Sequence, residues 1–148
     1  MESRGMRRED RMKYCTYKSI QGDEYMSTSF IEQVHYNRIP VKDLELSAHW
    51  YRDILGLQLL SHNEELAILK INEGPSLLIL VPTRDETYAH FTIDQEQAFS
   101  IAFTSPDIPG FHQHLTDHQV KVDNIQHDEG HAYFHFHDPD GNKFQVHW

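Results

Sequence analysis

Cysteine is almost absent: Cys15 stands alone among 148 residues, which excludes an intrachain disulfide framework and suits a reducing cytoplasm. No apolar run approaches the roughly 20 residues that a membrane-spanning helix needs, and the first residues lack the apolar stretch of a secretory signal. Basic charge is scarce as well. Thirteen Lys and Arg face 23 Asp and Glu, a formal net charge of −10. An acidic chain repels phosphate backbones, and the basic patch at Arg7, Arg8 and Arg11 is diluted by Glu9 and Asp10, so nucleic acid is not an expected partner. Residues 1–27 show neither helical nor strand periodicity and are expected to form a disordered tail. Residues 28–148 remain as one domain, long enough to bury a core.

What is present is a repeated phrase. YNRIPVKDLELSAHWYRDILGL, from Tyr36, and SIAFTSPDIPGFHQHLTDHQV, from Ser100, each run from a strand through an aspartate into a helix. The two aspartates, Asp43 and Asp107, lie 64 residues apart. Similarity at a fixed offset implies a duplicated supersecondary unit. In the first copy Ile39 and Val41 oppose Tyr36 and Arg38, Asp43 caps the helix, and Leu46, Trp50, Tyr51 and Ile54 supply its buried stripe. Gly56 ends it. Strands at Leu57–His62, Glu65–Ile71 and Ser76–Val81 follow. In the second copy Phe99, Ile101 and Phe103 alternate with Ser100, Ala102 and Thr104. Asp107 caps a helix with stripe Ile108, Phe111 and Leu115, which Gly110 is expected to weaken and shorten. Strands at Gln119–Gln126, His131–His137 and Asn142–Trp148 complete it. The fold class is therefore α+β: two βαβββ modules, about 31–82 and 97–148.

Successive strand residues point to opposite faces. Phe134, Phe136, Phe144 and Val146 fall on the face that packs on the helices. The opposite faces collect Tyr36, Arg38, Ser100, Thr104, Tyr133, His135, His137, Gln145 and His147. A turn at Pro139-Asp140-Gly141 sets Gln145 opposite His135 and His147 opposite Tyr133. So polar a face points to a ligand-lined concavity, with a solvated sheet face as the alternative.

IPVKDLELSAHWYRDILGL together with FHFHDPDGNKFQVHW resembles the vicinal oxygen chelate superfamily. Its members include glyoxalase I, bleomycin-resistance proteins, extradiol dioxygenases and fosfomycin-modifying thiol transferases. The resemblance spans Ile31 to Trp148, and the C-terminal end is most similar to the fosfomycin-resistance branch. It implies paired βαβββ units around a cup-shaped mixed sheet, commonly in a dimer. Catalytic members hold a divalent metal on the cup floor, and the resemblance places their ligand positions on Tyr36, Ile79, Ser100 and Gln145. Protonated hydroxyls, an alkyl chain and one neutral amide are poor ligands for such an ion. The expectation is that the usual metal site is absent and no cofactor is held.

Twelve histidines keep a metal reading open. His112, His114 and His118 lie on or near a helix and read as solvated, and His49, His62, His90 and His127 have no partner at ligand spacing. His135, Gln145 and His147 form the alternative, a displaced zinc or copper site on neighbouring strands. Arg38 is the other informative residue. No acidic residue shares its inferred face, so a ligand anion or a rim carboxylate would balance it. A small carboxylate or phosphonate with an apolar portion would suit Arg38 beside Tyr36, Leu77 and Ile79.

The reading that results is a cytoplasmic, metal-independent small-molecule-binding protein that sequesters or senses its ligand, with a homodimer expected and no membrane partner. The alternatives are a metalloenzyme using the displaced His/Gln set, a metal-free isomerase or lyase with a histidine base, and a domain whose dimer interface matters more than its cavity.

Overall fold

A computed structural model of the chain describes residues 29–148, of which 33–148 form one compact unit. The tail expected over residues 1–27 lies outside the described residues. The first module runs β1 (Tyr36–Val41), α1 (Leu44–Asp53), β2 (Gln58–His62), β3 (Ala67–Lys70) and β4 (Leu77–Pro82). A hairpin follows, β5 (Phe91–Ile93) and β6 (Glu96–Ala98). The second module is β7 (Ala102–Thr104), α2 (Ile108–Asp117), β8 (Gln126–Asp128), β9 (His131–His137) and β10 (Lys143–His147). The two modules build the same sheet twice, in the orders β1-β4-β3-β2 and β7-β10-β9-β8. In each, the first strand pairs in parallel with the last, and the helix between supplies the crossover.

Both helices start on the predicted aspartates. The Asp43 carboxylate accepts from the Leu46 amide at 3.0 Å and that of Asp107 from the Gly110 amide at 3.0 Å. Each cap satisfies an orphan N–H of the first turn. Gly110 does not shorten α2, which at ten residues equals α1. A Cβ at Gly110 would fall on the Asp107 carboxylate, so glycine keeps the cap in place. The expected stripe of α1 is rotated. Leu44, Ser47, Ala48 and Tyr51 are buried, whereas Leu46 is 57% exposed. The α2 stripe lies as predicted, with Ile108 and Leu115 buried and Phe111 packed beside them.

One core serves both modules. Ile39, Val41, Leu69, Leu78 and Leu80 from the first join Phe134, Phe136, Phe144 and Val146 from the second, and the Tyr51 ring meets Phe144 edge-on at 6.4 Å. The β9–β10 turn fastens the modules with polar contacts. Asn142, fully buried, donates through Nδ2 to the Pro40 carbonyl (2.9 Å) and to Asp138 (2.8 Å), and accepts from the Ala89 amide (2.8 Å). The Tyr51 hydroxyl donates to Asp138 at 2.6 Å, and Asp140 accepts from the Lys42 amide and the Ser47 hydroxyl, each at 2.7 Å. Burial pushes the Asp138 carboxyl above the usual carboxylate range, although the bonds from Asn142 and Tyr51 pull it back. The Tyr51 phenol is raised by burial first and by Asp138 second. Gly141, at φ +86°, supplies the left-handed residue that closes this turn.

Three strand expectations need correction. The alternating stretch from Phe99 to Thr104 holds strand only over Ala102–Thr104. The chain bends at Ser100, which carries Phe99 onto the polar face, its ring centroid 5.6 Å from that of His135. The strand expected over 119–126 is reduced to a bridge between Val122 and Phe136, with β8 displaced to 126–128. Gln119 turns left-handed at φ +58°, and the Asp123 side chain accepts the His135 amide at 2.6 Å where a strand would present a backbone carbonyl. The β5–β6 hairpin was not expected. Its turn, Asp94-Gln95, has positive φ at both positions without asparagine or glycine.

Candidate functional site

The strand registers place the candidate residues in two groups. On the first sheet Tyr36 lies beside Leu77 and Arg38 beside Ile79, all on the face opposite the buried Ile39, Val41, Leu78 and Leu80. Leu77 and Ile79 are half-buried, while Tyr36 and Arg38 are exposed. Arg38 has no hydrogen bond or ion pair among the described residues. Its charge stays in water, so the argument from an unpaired buried cation lapses.

On the second sheet the predicted register is present: Gln145 pairs with His135 and His147 with Tyr133. His135 is bonded through both ring nitrogens. Nδ1 lies 2.7 Å from Asp123 Oδ2, and Nε2 lies 3.1 Å from Gln145 Oε1. Facing a carboxylate, Nδ1 carries hydrogen. Nε2 then donates to Gln145, or accepts from its amide nitrogen with the amide turned over. Tyr133 donates to Gln126 at 2.9 Å. Ser100 is exposed on the bend before β7, outside this group.

Asp123 is the functional residue that sequence reasoning missed. Its carboxylate reaches the face held to have no acid, from a segment read as regular strand. A period-two reading assigns faces only where the chain is extended, and here it is not. The helical histidines also differ from expectation. His112 bonds the Asp123 carbonyl and His114 the Ile54 carbonyl, each at 2.8 Å, so His114 ties α2 to the end of α1.

His135 and His137 line a cleft of about 390 Å³ with Glu96, Gln97, Lys121, Val122, Asp123 and Lys143. The hairpin forms one wall. His137 Nε2 donates to Gln97 Oε1 at 2.7 Å, Lys143 Nζ donates to the Gln97 carbonyl at 3.2 Å, and the Lys143 amide donates to His90 Nδ1 at 3.0 Å. The His137 imidazole is pushed down to about 4 by burial first, then by Lys121 and Lys143, with smaller effects from His90 and His135. Neither Arg38 nor Tyr36, Leu77 or Ile79 lines this cleft. A second, mainly apolar cavity of about 300 Å³ lies between Leu55–Leu57 and the Phe103–Pro106 segment and contains none of the predicted site residues.

No three His, Cys, Asp or Glu side chains among the described residues are placed to hold a metal ion. Within the displaced set, His135 Nε2 lies 3.1 Å from the Gln145 oxygen and Nδ1 lies 2.7 Å from Asp123, while His147 pairs across the strands with Tyr133.

The sequence profile of the glyoxalase/bleomycin resistance protein/dioxygenase superfamily matches residues 32–146. The chain belongs to this superfamily. No curated protein matches it. Its fold is similar to that of TnmS3, an antibiotic binding protein from Streptomyces sp. CB03234, with a TM-score of 0.65 and 20% identity over 80% of this chain and 96% of that one. It is also similar to a glyoxalase family protein from Enterococcus faecalis (TM-score 0.65, 21% identity, 81% and 100% covered). A lactoylglutathione lyase from Agrobacterium tumefaciens gives a TM-score of 0.60 at 18% identity, with 80% and 95% covered. At these identities the likeness is one of fold. No helix among the described residues is long and apolar enough to cross a membrane.

Proposed function

We propose that this superfamily member is a metal-independent small-molecule-binding protein that sequesters or senses a small anion with an apolar portion, in the cytoplasm and as a homodimer. The observation that carries this reading is what stands at the superfamily's ligand positions: Tyr36 and Ile79 on the first sheet, Gln145 beside His135 on the second, and Ser100 on the bend before β7. The superfamily's ligand positions, Tyr36, Ile79, Ser100 and Gln145, supply no carboxylate, imidazole or thiolate. Solved structures of this fold include both an antibiotic binding protein and a lactoylglutathione lyase, and the donor set favours the first kind of role. Arg38 supports an anionic ligand, being a cation with no partner among the described residues beside the apolar shelf of Leu77 and Ile79. Large apolar side chains stand uncovered, with Trp148 70%, Phe91 52% and Tyr36 47% exposed. That supports a second copy packing on the chain.

The test is a thermal-shift screen of small carboxylates, phosphonates and neutral aromatics against the parent and Arg38→Ala. Anions with an apolar portion are expected to raise the melting temperature of the parent. In Arg38→Ala their binding should weaken by about 1 kcal/mol, the worth of a charge that remains in water. Hits confined to neutral aromatics would remove the anion from the reading, and equal shifts in both proteins would remove Arg38.

A further inference from the structure

From residue 28 onward the chain has seven basic residues against eighteen acidic ones, yet two of those seven line one cleft. Lys121 and Lys143 stand on the wall that also holds His135 and His137, and neither lysine has a carboxylate partner among the described residues. Lys42 and Arg52, by contrast, pair with Glu86 and Asp53. Two carboxylates do line the cleft. Asp123 is bonded to the backbone amide and ring of His135, and Glu96 is exposed on the hairpin.

We infer that this cleft is an oxyanion site for the phosphate or carboxylate group of a small molecule, separate from Arg38 and additional to the ligand face proposed above. Lys121 and Lys143 act as point charges on it, and His137 and His135 form the wall between them. The hairpin closes the other side, held by Gln97 to His137 and Lys143. A cleft of about 390 Å³ is of the size that admits a small metabolite. The field at His137 already has the sign the inference requires. Lys121, Lys143, His90 and His135 each disfavour its protonation, and Asp123 and Glu96 face the same space without cancelling that effect. An anion seated there would offset the lysines and raise His137 in part, burial remaining the larger cause, so binding at acidic pH should take up protons.

The experiment is a titration of the full chain with inorganic phosphate and, in a parallel arm, with trifluoroacetate, a carboxylate that stays ionised throughout, read by NMR of the histidine rings between about pH 3.5 and 8. Phosphate or trifluoroacetate should move the His137 titration upward from about 4 by about half a pH unit or more. In the double variant Lys121→Gln, Lys143→Gln, which keeps polar stems and a donor for the Gln97 carbonyl, affinity should fall about tenfold. Its His137 titration should already lie higher without any anion. Arg38→Ala should bind both anions as the parent does. A larger response to phosphate would assign the site to phosphate esters, and a larger response to trifluoroacetate would assign it to carboxylates. The inference is overturned if neither anion moves the His137 titration in the parent, or if the double variant binds as tightly as the parent. Loss of binding in Arg38→Ala alone would place the anion on the first sheet instead. The Arg38 comparison described above can fail without touching this result, because that variant leaves both lysines in place.

Discussion

The two modules share strand order and cap geometry, and they differ in what surrounds those elements. In the first, the β3–β4 turn lies at the surface and closes through its own backbone, Ile71 N to the Ser76 carbonyl at 3.1 Å. In the second, the corresponding β9–β10 turn is driven into the first module, with Asn142 and Asp138 buried. The sheet faces diverge in the same way. The first presents Tyr36, Arg38, Leu77 and Ile79 as an open shelf. The second binds its polar residues to one another, His135 to Asp123 and Gln145, and His137 to the hairpin. Duplication therefore preserved the frame, and the chemistry is concentrated on the second copy. A frame held by backbone ladders and one apolar core tolerates such divergence, because the side chains on the outer face are not needed for the fold.

The sharpest way to test that difference is to weaken both turns. Asn142→Ala removes bonds to Pro40, Asp138 and Ala89 in a buried site, and should cost about 2–4 kcal/mol in urea denaturation. Asn72→Ala, in the exposed turn of the first module, has a left-handed residue at φ +49° and should cost under about 1 kcal/mol. Equal losses would show that the modules are not held together through the second turn.

A smaller effect is expected from pH. His137 has its folded-state value depressed to about 4 from 6.5, so its contribution to stability is fully present above about 6.5 and is lost as pH falls toward 4. The first module's shelf has no histidine and should add no such dependence. Denaturation midpoints of the parent should therefore fall between pH 7 and 4.5 more than those of His137→Gln, whose amide can still reach Gln97. Parallel slopes in the two proteins would deny His137 that role.

Much of this was legible in the sequence. The repeat, both helix caps, the βαβββ succession within each module and the register that sets His135 opposite Gln145 all follow from alternation and from a turn of known length. What was not legible has a common cause, the side chain that replaces backbone. Asp123 takes the place of a strand carbonyl and so moves both itself and β8 out of the expected pattern. Ser100 bends the chain and reverses the face of Phe99. The Asp94-Gln95 turn uses left-handed residues without glycine or asparagine to announce them. For α1, Leu46 was assigned to the core because it is apolar, yet the buried positions are set by contact with β3 and β4 and include Ser47, whose hydroxyl is satisfied by Asp140.

The central claim is that the protein binds a small anion without a metal. The most direct measurement is calorimetric titration of tag-free protein with the best anion from the ligand screen, before and after exhaustive chelation, with metal content measured on the same samples. The account predicts well under one equivalent of metal per chain and the same affinity in both titrations. Stoichiometric metal whose removal abolishes binding, with recovery on adding back a divalent ion, would contradict it and restore the enzyme reading.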